Sequence, residues 1–235
     1  MKYTLLLVAF AISQPVYAQH ADSIAAAQSH RFGRAIAAPS ILIAAGLAIK
    51  NQNESLQKYF YDNDDGARKT PKNISDFTQF APVAMVYIFS AMGNKGEHKV
   101  LKITSLALQS EALMIAMVRP LKYFTHETRP DGGPNSFPSG HTAQAFMAAT
   151  LLHKEYGHKS VWYSVAGYTM ATAVGTCRMM SNRHWASDVV VGAGIGVLST
   201  NLVYLYHKHR DSKKRQITAM PSYNKGPGFY LAMKL

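Results

Sequence analysis

Phe137-Pro138-Ser139-Gly140-His141 runs directly into an apolar segment over 142–152. Proline followed by Ser-Gly ahead of such a run marks a helix start. The first turn of a helix carries unpaired backbone N–H groups and the positive end of the helix dipole, so an anion is favoured there. Gly140 lets a ligand approach the backbone, because it carries no Cβ. Ser139 adds a hydroxyl, and His141 stands at the mouth of any such site. Taken alone, this stretch reads first as a capped helix with an incidental histidine.

Upstream lies a proline-rich segment over 119–138, with prolines at 120, 130, 134 and 138 and the pair Gly132-Gly133. A loop of that length inside a compact domain is usually functional. It carries Lys122 and Arg129-Pro130, spaced K-x6-R-P. Arginine offers a planar fork of donors to phosphate oxygens, and lysine offers a point charge.

Downstream, Arg178, His184 and Asp188 are spaced R-x5-H-x3-D. His184 and Asp188 share a face if both lie on the helix that continues through 189–206. A carboxylate beside an imidazole holds one ring N–H, fixes the tautomer and stabilises the imidazolium. Gly192, Gly194 and Gly196 follow and permit close helix packing.

In this order the three clusters resemble the signature of the type 2 phosphatidic acid phosphatase superfamily, which also includes bacterial acid phosphatases and vanadium haloperoxidases. The motifs cover 122–188, and the helix pattern extends the likeness over about 35–206. The resemblance implies that His184 attacks phosphorus and that Asp188 orients it. His141 protonates the leaving oxygen. Lys122, Arg129, Ser139, Gly140 and Arg178 hold the phosphoryl oxygens. No cofactor and no metal are implied. One departure is visible: Cys177 stands where the family usually has serine, and a thiol is the weaker donor. His141, His184 and Asp188 also have the composition of a two-histidine, one-carboxylate metal set, but three nearby cations repel a divalent ion.

Six apolar stretches, roughly 35–49, 77–92, 100–118, 142–152, 160–176 and 189–206, are longer than typical strands. They predict an all-α bundle of about six core helices over 19–206. Asn51 to Asp76 reads as a polar connection, with turns at Asn63-Asp64-Asp65-Gly66 and Thr70-Pro71. Several stretches fall short of the ~20 residues that cross a bilayer. The expectation is a bundle whose helices do not all span.

Residues 1–18 read as an export signal: Lys2, an apolar run, then Val16 and Ala18 at a small-residue cleavage site. Export implies a periplasmic protein, soluble or at a membrane surface. The net charge is +12, which favours anionic partners. Part of it falls in a basic tail over 207–235, suited to lipid headgroups; a short terminal strand fits 226–235. The expected partner is a phosphorylated lipid or a small phosphomonoester. Export and the His–Asp pair argue against nucleic acid. The single cysteine excludes an internal disulfide.

Overall fold

The computed structural model describes residues 32, 33, 35–62, 74–214, 217–222 and 228–233. The signal expected over 1–18 and the turns at 63–66 and 70–71 lie outside them. All six apolar stretches are helices. They are α1 (Ala35–Ala48), α4 (Ala81–Ala91), α5 (Val100–Thr125), α6 (Gly140–Tyr156), α7 (Val161–Met180) and α8 (Ala186–Lys214). The expected polar connection over 51–76 is also partly helical, with α2 at Asn53–Asp62 and α3 at Ile74–Thr78. A hairpin of β1 (Ile217–Ser222) and β2 (Gly228–Met233) follows the all-α body, in antiparallel register from Ile217 opposite Met233 to Ser222 opposite Gly228.

α6 is the central helix and packs against α4, α5, α7 and α8. Its sequence explains why: alanines 143, 145, 148 and 149 are all fully buried, and small side chains let neighbours close in from every side. Ser139 caps α6 by accepting from the Thr142 amide at 3.4 Å. α8 runs parallel to α6. Gly192 and Gly196 face α6 along its first two turns, and a Cβ at Gly192 would stand 2.5 Å from the Ser139 carbonyl oxygen. Gly194 faces α1 instead, and a Cβ there would stand 2.9 Å from the Pro39 carbonyl oxygen.

The core has two ends. Away from the site, Val86, Ile103, Leu106, Leu151, Leu152, Tyr156 and Val203 pack together. Replacing Leu151 or Leu152 by alanine there costs about 2–5 kcal/mol. Beneath the site, Met114, Val118, Phe137, Ala143, Val191 and Ile195 form a second cluster.

Two expectations change. α5 does not stop at Arg119. It continues through Pro120 to Thr125, and His126 closes it in the left-handed conformation. Lys122 therefore sits on the last helical turn rather than in a loop. α8 begins earlier and ends later than its apolar stretch, so the first residues of the basic segment, His207–Arg210, are helical. Among the described residues, α5 and the Ala186–Asp211 part of α8 are long and apolar enough to cross a membrane. α1 with Lys50–Tyr59, bent by 47°, makes a third if taken as one span. α5 ends and α8 begins at the same end of the bundle, where the chemistry-bearing residues gather.

Candidate active site

The three sequence clusters meet in one cavity of about 340 Å³. Lys122, Arg129, Gly140, His141, Arg178 and His184 all line it. Ser139 and Asp188 lie behind this wall, each fully buried.

His184 and Asp188 are not both inside α8. His184 precedes the helix, and Asp188 occupies its third position. Asp188 Oδ2 accepts from His184 Nδ1 at 3.3 Å and from the Trp185 backbone N–H at 3.0 Å. The second bond closes the first turn in the manner of a capping box, where a third-position carboxylate reaches back to the N-cap amide. Ser136 Oγ donates to the same oxygen. The Ser187 amide is satisfied by Asn53 Oδ1 of α2 at 3.1 Å. Asp188 is thus fixed from three sides, and it holds His184 so that Nε2 is the nitrogen left for the cavity. Burial drops His184 to about 4, against the pull of Asp188, which raises it. The ring is neutral at neutral pH and carries a free lone pair.

The cations are arranged as anion ligands. Lys122 Nζ is braced on the carbonyl oxygens of Asn135 and Ser136, at 2.8 and 3.1 Å. Arg178 is 5% exposed and donates to Ser75 Oγ at 3.0 Å. Its Nε and the Nε of Arg129 are buried donors without an acceptor. Buried, unpaired donors are costly to leave unmade, and an oxyanion in the cavity would satisfy them. Ser139 Oγ also lies 2.9 Å from Thr142 Oγ1, a contact in which either hydroxyl can donate. Cys177, in the family's serine position, lines a separate groove of about 710 Å³ on the outer face of α7, with Tyr168 and Thr172. That groove has no charged residue in its wall.

His141 sits in the first turn of α6 and contacts a residue absent from the motifs. Its Nε2 is 2.8 Å from Asp76 Oδ1, and the same oxygen is 3.6 Å from Arg178 Nη1. Burial, then Arg178, push His141 below its ordinary 6.5, and Asp76 opposes both. Sequence reasoning missed Asp76, Ser136 and Asn53. Asp76 and Asn53 lie in segments that read as connection, and Ser136 is one polar residue in a polar loop. The part of the loop around Arg129, residues 127–131, is tied down at three points. Glu127 pairs with Lys50 at 2.8 Å, Asp131 with Arg183 at 3.4 Å, and the Thr128 carbonyl accepts from Trp185 Nε1 at 2.8 Å.

Among the described residues, no three His, Cys, Asp or Glu side chains converge as a metal ligand set. The chemistry available to this wall is a neutral imidazole aimed at an anion, a second imidazole beside it, and three cations around both.

The PAP2 superfamily model matches residues 38–212. The lipid A 1-phosphatase of Porphyromonas gingivalis is 42% identical over 168 residues, covering 69% of this chain. The chain spans about a third of that relative, 36% of its length. Two solved structures share the fold. One is LpxE of Aquifex aeolicus, with TM-score 0.51 and 21% identity over 65% of this chain and 94% of that one. The other is the transmembrane PAP2 type phosphatidylglycerolphosphate phosphatase of Bacillus subtilis, with TM-score 0.53 and 19% identity over 75% and 95%. With the family match spanning all three motifs and every core helix, the chain belongs to the PAP2 superfamily.

Proposed function

We propose that this protein is a metal-independent lipid phosphatase, acting on a phosphomonoester through a phosphohistidine at His184. The observation that carries it is the pairing within one cavity of a neutral, carboxylate-held His184 with Arg129 and Arg178, whose buried Nε donors lack acceptors. An imidazole freed at Nε2 is a nucleophile, and the donors fit phosphoryl oxygens.

In the first step His184 Nε2 forms a bond to phosphorus, and the bond from phosphorus to the leaving oxygen breaks. His141 gives its proton to that oxygen. Asp188 keeps the Nδ1 proton and stabilises the cationic phosphoimidazole. In the second step water attacks phosphorus, His141 takes the proton, and the P–N bond breaks to release phosphate. Lys122, Arg129 and Arg178 balance the charge on the equatorial oxygens throughout. Phosphoryl transfer needs little beyond in-line placement and such electrostatic support.

A lipid substrate is supported by the apolar helices that end at the site and by the lipid A 1-phosphatase relative. The cavity wall adds apolar Met114, Ile115 and Val118 below the cations, with Glu111 and Gln144 hydrogen-bonded at 2.6 Å between them. A phosphate on a sugar-headed lipid suits that mixture. We place the site on the periplasmic side, following the export signal expected over 1–18. Labelling of Asp131→Cys with a membrane-impermeant thiol reagent in intact cells tests that placement.

The activity test uses purified protein in detergent with EDTA, offered phosphorylated glycolipids, phosphatidate and soluble phosphomonoesters. Release of phosphate that resists chelator and is strongest on one lipid is the expected result. Equal turnover of soluble esters would make this a general acid phosphatase. No release, or loss of all release with EDTA, contradicts the proposal.

A further inference from the structure

We propose that Asp76 is the positioning residue of the second histidine: its carboxylate holds the Nε2–H of His141, so that Nδ1 is the ring nitrogen that exchanges protons with the leaving oxygen and with water. The inference rests on the phosphatase reading above. It adds a second carboxylate–imidazole pair to the site, supplied by an element outside all three motifs.

The geometry is direct. Asp76 Oδ1 lies 2.8 Å from His141 Nε2, closer than the 3.3 Å that separates Asp188 from His184. α3 is anchored so that this contact is fixed. Ser75, 1% exposed, accepts from Arg178 Nη1 at 3.0 Å, and Asp76 meets the same nitrogen at 3.6 Å. Two consecutive residues of α3 therefore grip the arginine of the third motif, while the second of them also grips the histidine of the second motif. One turn later Gln79 donates to the Asp76 backbone carbonyl at 2.7 Å and lines the cavity.

The chemistry needs such a partner. His141 must be protonated to act as an acid, yet its surroundings are cationic. Arg178 faces it from α7, Arg129 from the loop and Lys122 from α5, and the neutral ring of His184 stands across the cavity. Glu111 is the carboxylate of the cavity wall itself, and it is engaged by Gln144. Asp76 is thus the carboxylate in contact with the ring. It favours the imidazolium, as a nearby opposite charge does, and fixes which nitrogen is free.

The experiment compares wild type with Asp76→Asn, Asp76→Ala and Asp76→Glu. Two readouts are taken: kcat and KM against pH on the best lipid substrate, and the titration of His141 by NMR with 15N-labelled histidine, assigned through His141→Gln. Expected for Asp76→Asn is a kcat loss of about tenfold or more, with KM changed less than threefold. The alkaline limb of the profile moves to lower pH, because removing the carboxylate makes His141 lose its proton earlier. Asp76→Glu restores part of the limb. The His141 titration moves in the same direction in the absence of any substrate. Unchanged or raised kcat with a lower KM would overturn the inference and make Asp76 a plug that substrate displaces. An unmoved limb and an unmoved His141 titration would also overturn it. The two proposals fail separately. A wild type that releases no phosphate from any ester sinks the phosphatase reading, while the NMR titration still decides whether Asp76 governs His141.

Discussion

The backbone amide of Ser139 donates to the backbone carbonyl of Asp188 across 3.0 Å. This one bond fastens the start of α6, with its phosphate-facing turn, to the start of α8, with its His–Asp pair. Gly192 sits one turn further along α8, where a Cβ would press to 2.5 Å on the Ser139 carbonyl. The two helix starts lie this close because glycine stands there.

Gly192→Ala therefore forces the helices apart at the site itself. Backbone cannot yield as a flexible side chain does, so overpacking of about 1–3 kcal/mol is expected. Thermal unfolding in detergent reads the loss of stability. Turnover should fall further than stability alone explains, because Ser139 and Asp188 move relative to each other. An alanine variant with normal stability and turnover contradicts this packing.

The pH profile of kcat/KM should be bell-shaped with an acidic optimum. His184 must be neutral, and it is held down to about 4 by burial. Activity therefore rises as pH climbs through that value. His141 must be protonated, and burial together with Arg178 holds it below 6.5. Activity therefore falls again before neutrality in the free enzyme. An optimum above pH 8 would show that the roles of the two histidines are wrongly assigned.

Ser136 is fully buried and donates to the Asp188 oxygen that also holds His184. Ser136→Ala removes one of that oxygen's donors without touching the cavity wall. We expect a kcat loss on the order of 10-fold, by analogy with the loss of other outer partners that orient a functional group, and little change in KM. Steady-state kinetics on the preferred ester checks this. A change in KM alone would mean that Ser136 shapes binding instead.

Trp185→Phe keeps an aromatic ring, smaller than the indole, and deletes the bond to the Thr128 carbonyl. The loop carrying Arg129 then loses one of its three ties. KM should rise about two- to tenfold, the effect of one hydrogen bond of ~0.5–1.5 kcal/mol, with kcat nearly preserved. Equal losses in both constants would place Trp185 closer to the chemistry than its geometry does.

What could be read from the chain depended on range. Lys122, Arg129, His141, Arg178, His184 and Asp188 stand in short patterns whose spacing carries the meaning. The six apolar stretches were long enough to be helices and nothing else. Asp76 meets Arg178 from 102 positions away, and Asn53 meets Ser187 across 134. No local pattern encodes such contacts. The extent of α5 was misread because Pro120 looks like a break. The helix carries on as Thr125 bonds both Leu121 and the Phe137 carbonyl, at 2.8 and 3.3 Å, tying the last turn to the loop. The contact of Ser139 Oγ with Thr142 Oγ1 at 2.9 Å is a local detail of the helix start that the motif alone does not reveal.

The most direct test is to trap the covalent intermediate. Protein in detergent with EDTA is mixed with a 32P-labelled phosphoglycolipid and quenched in base after milliseconds, and the label on the protein is mapped. The account predicts a base-stable, acid-labile phosphohistidine on the peptide containing His184. It should be absent in His184→Ala and prolonged in His141→Ala with an activated ester. Label on another residue, or full turnover by His184→Ala, would contradict the account.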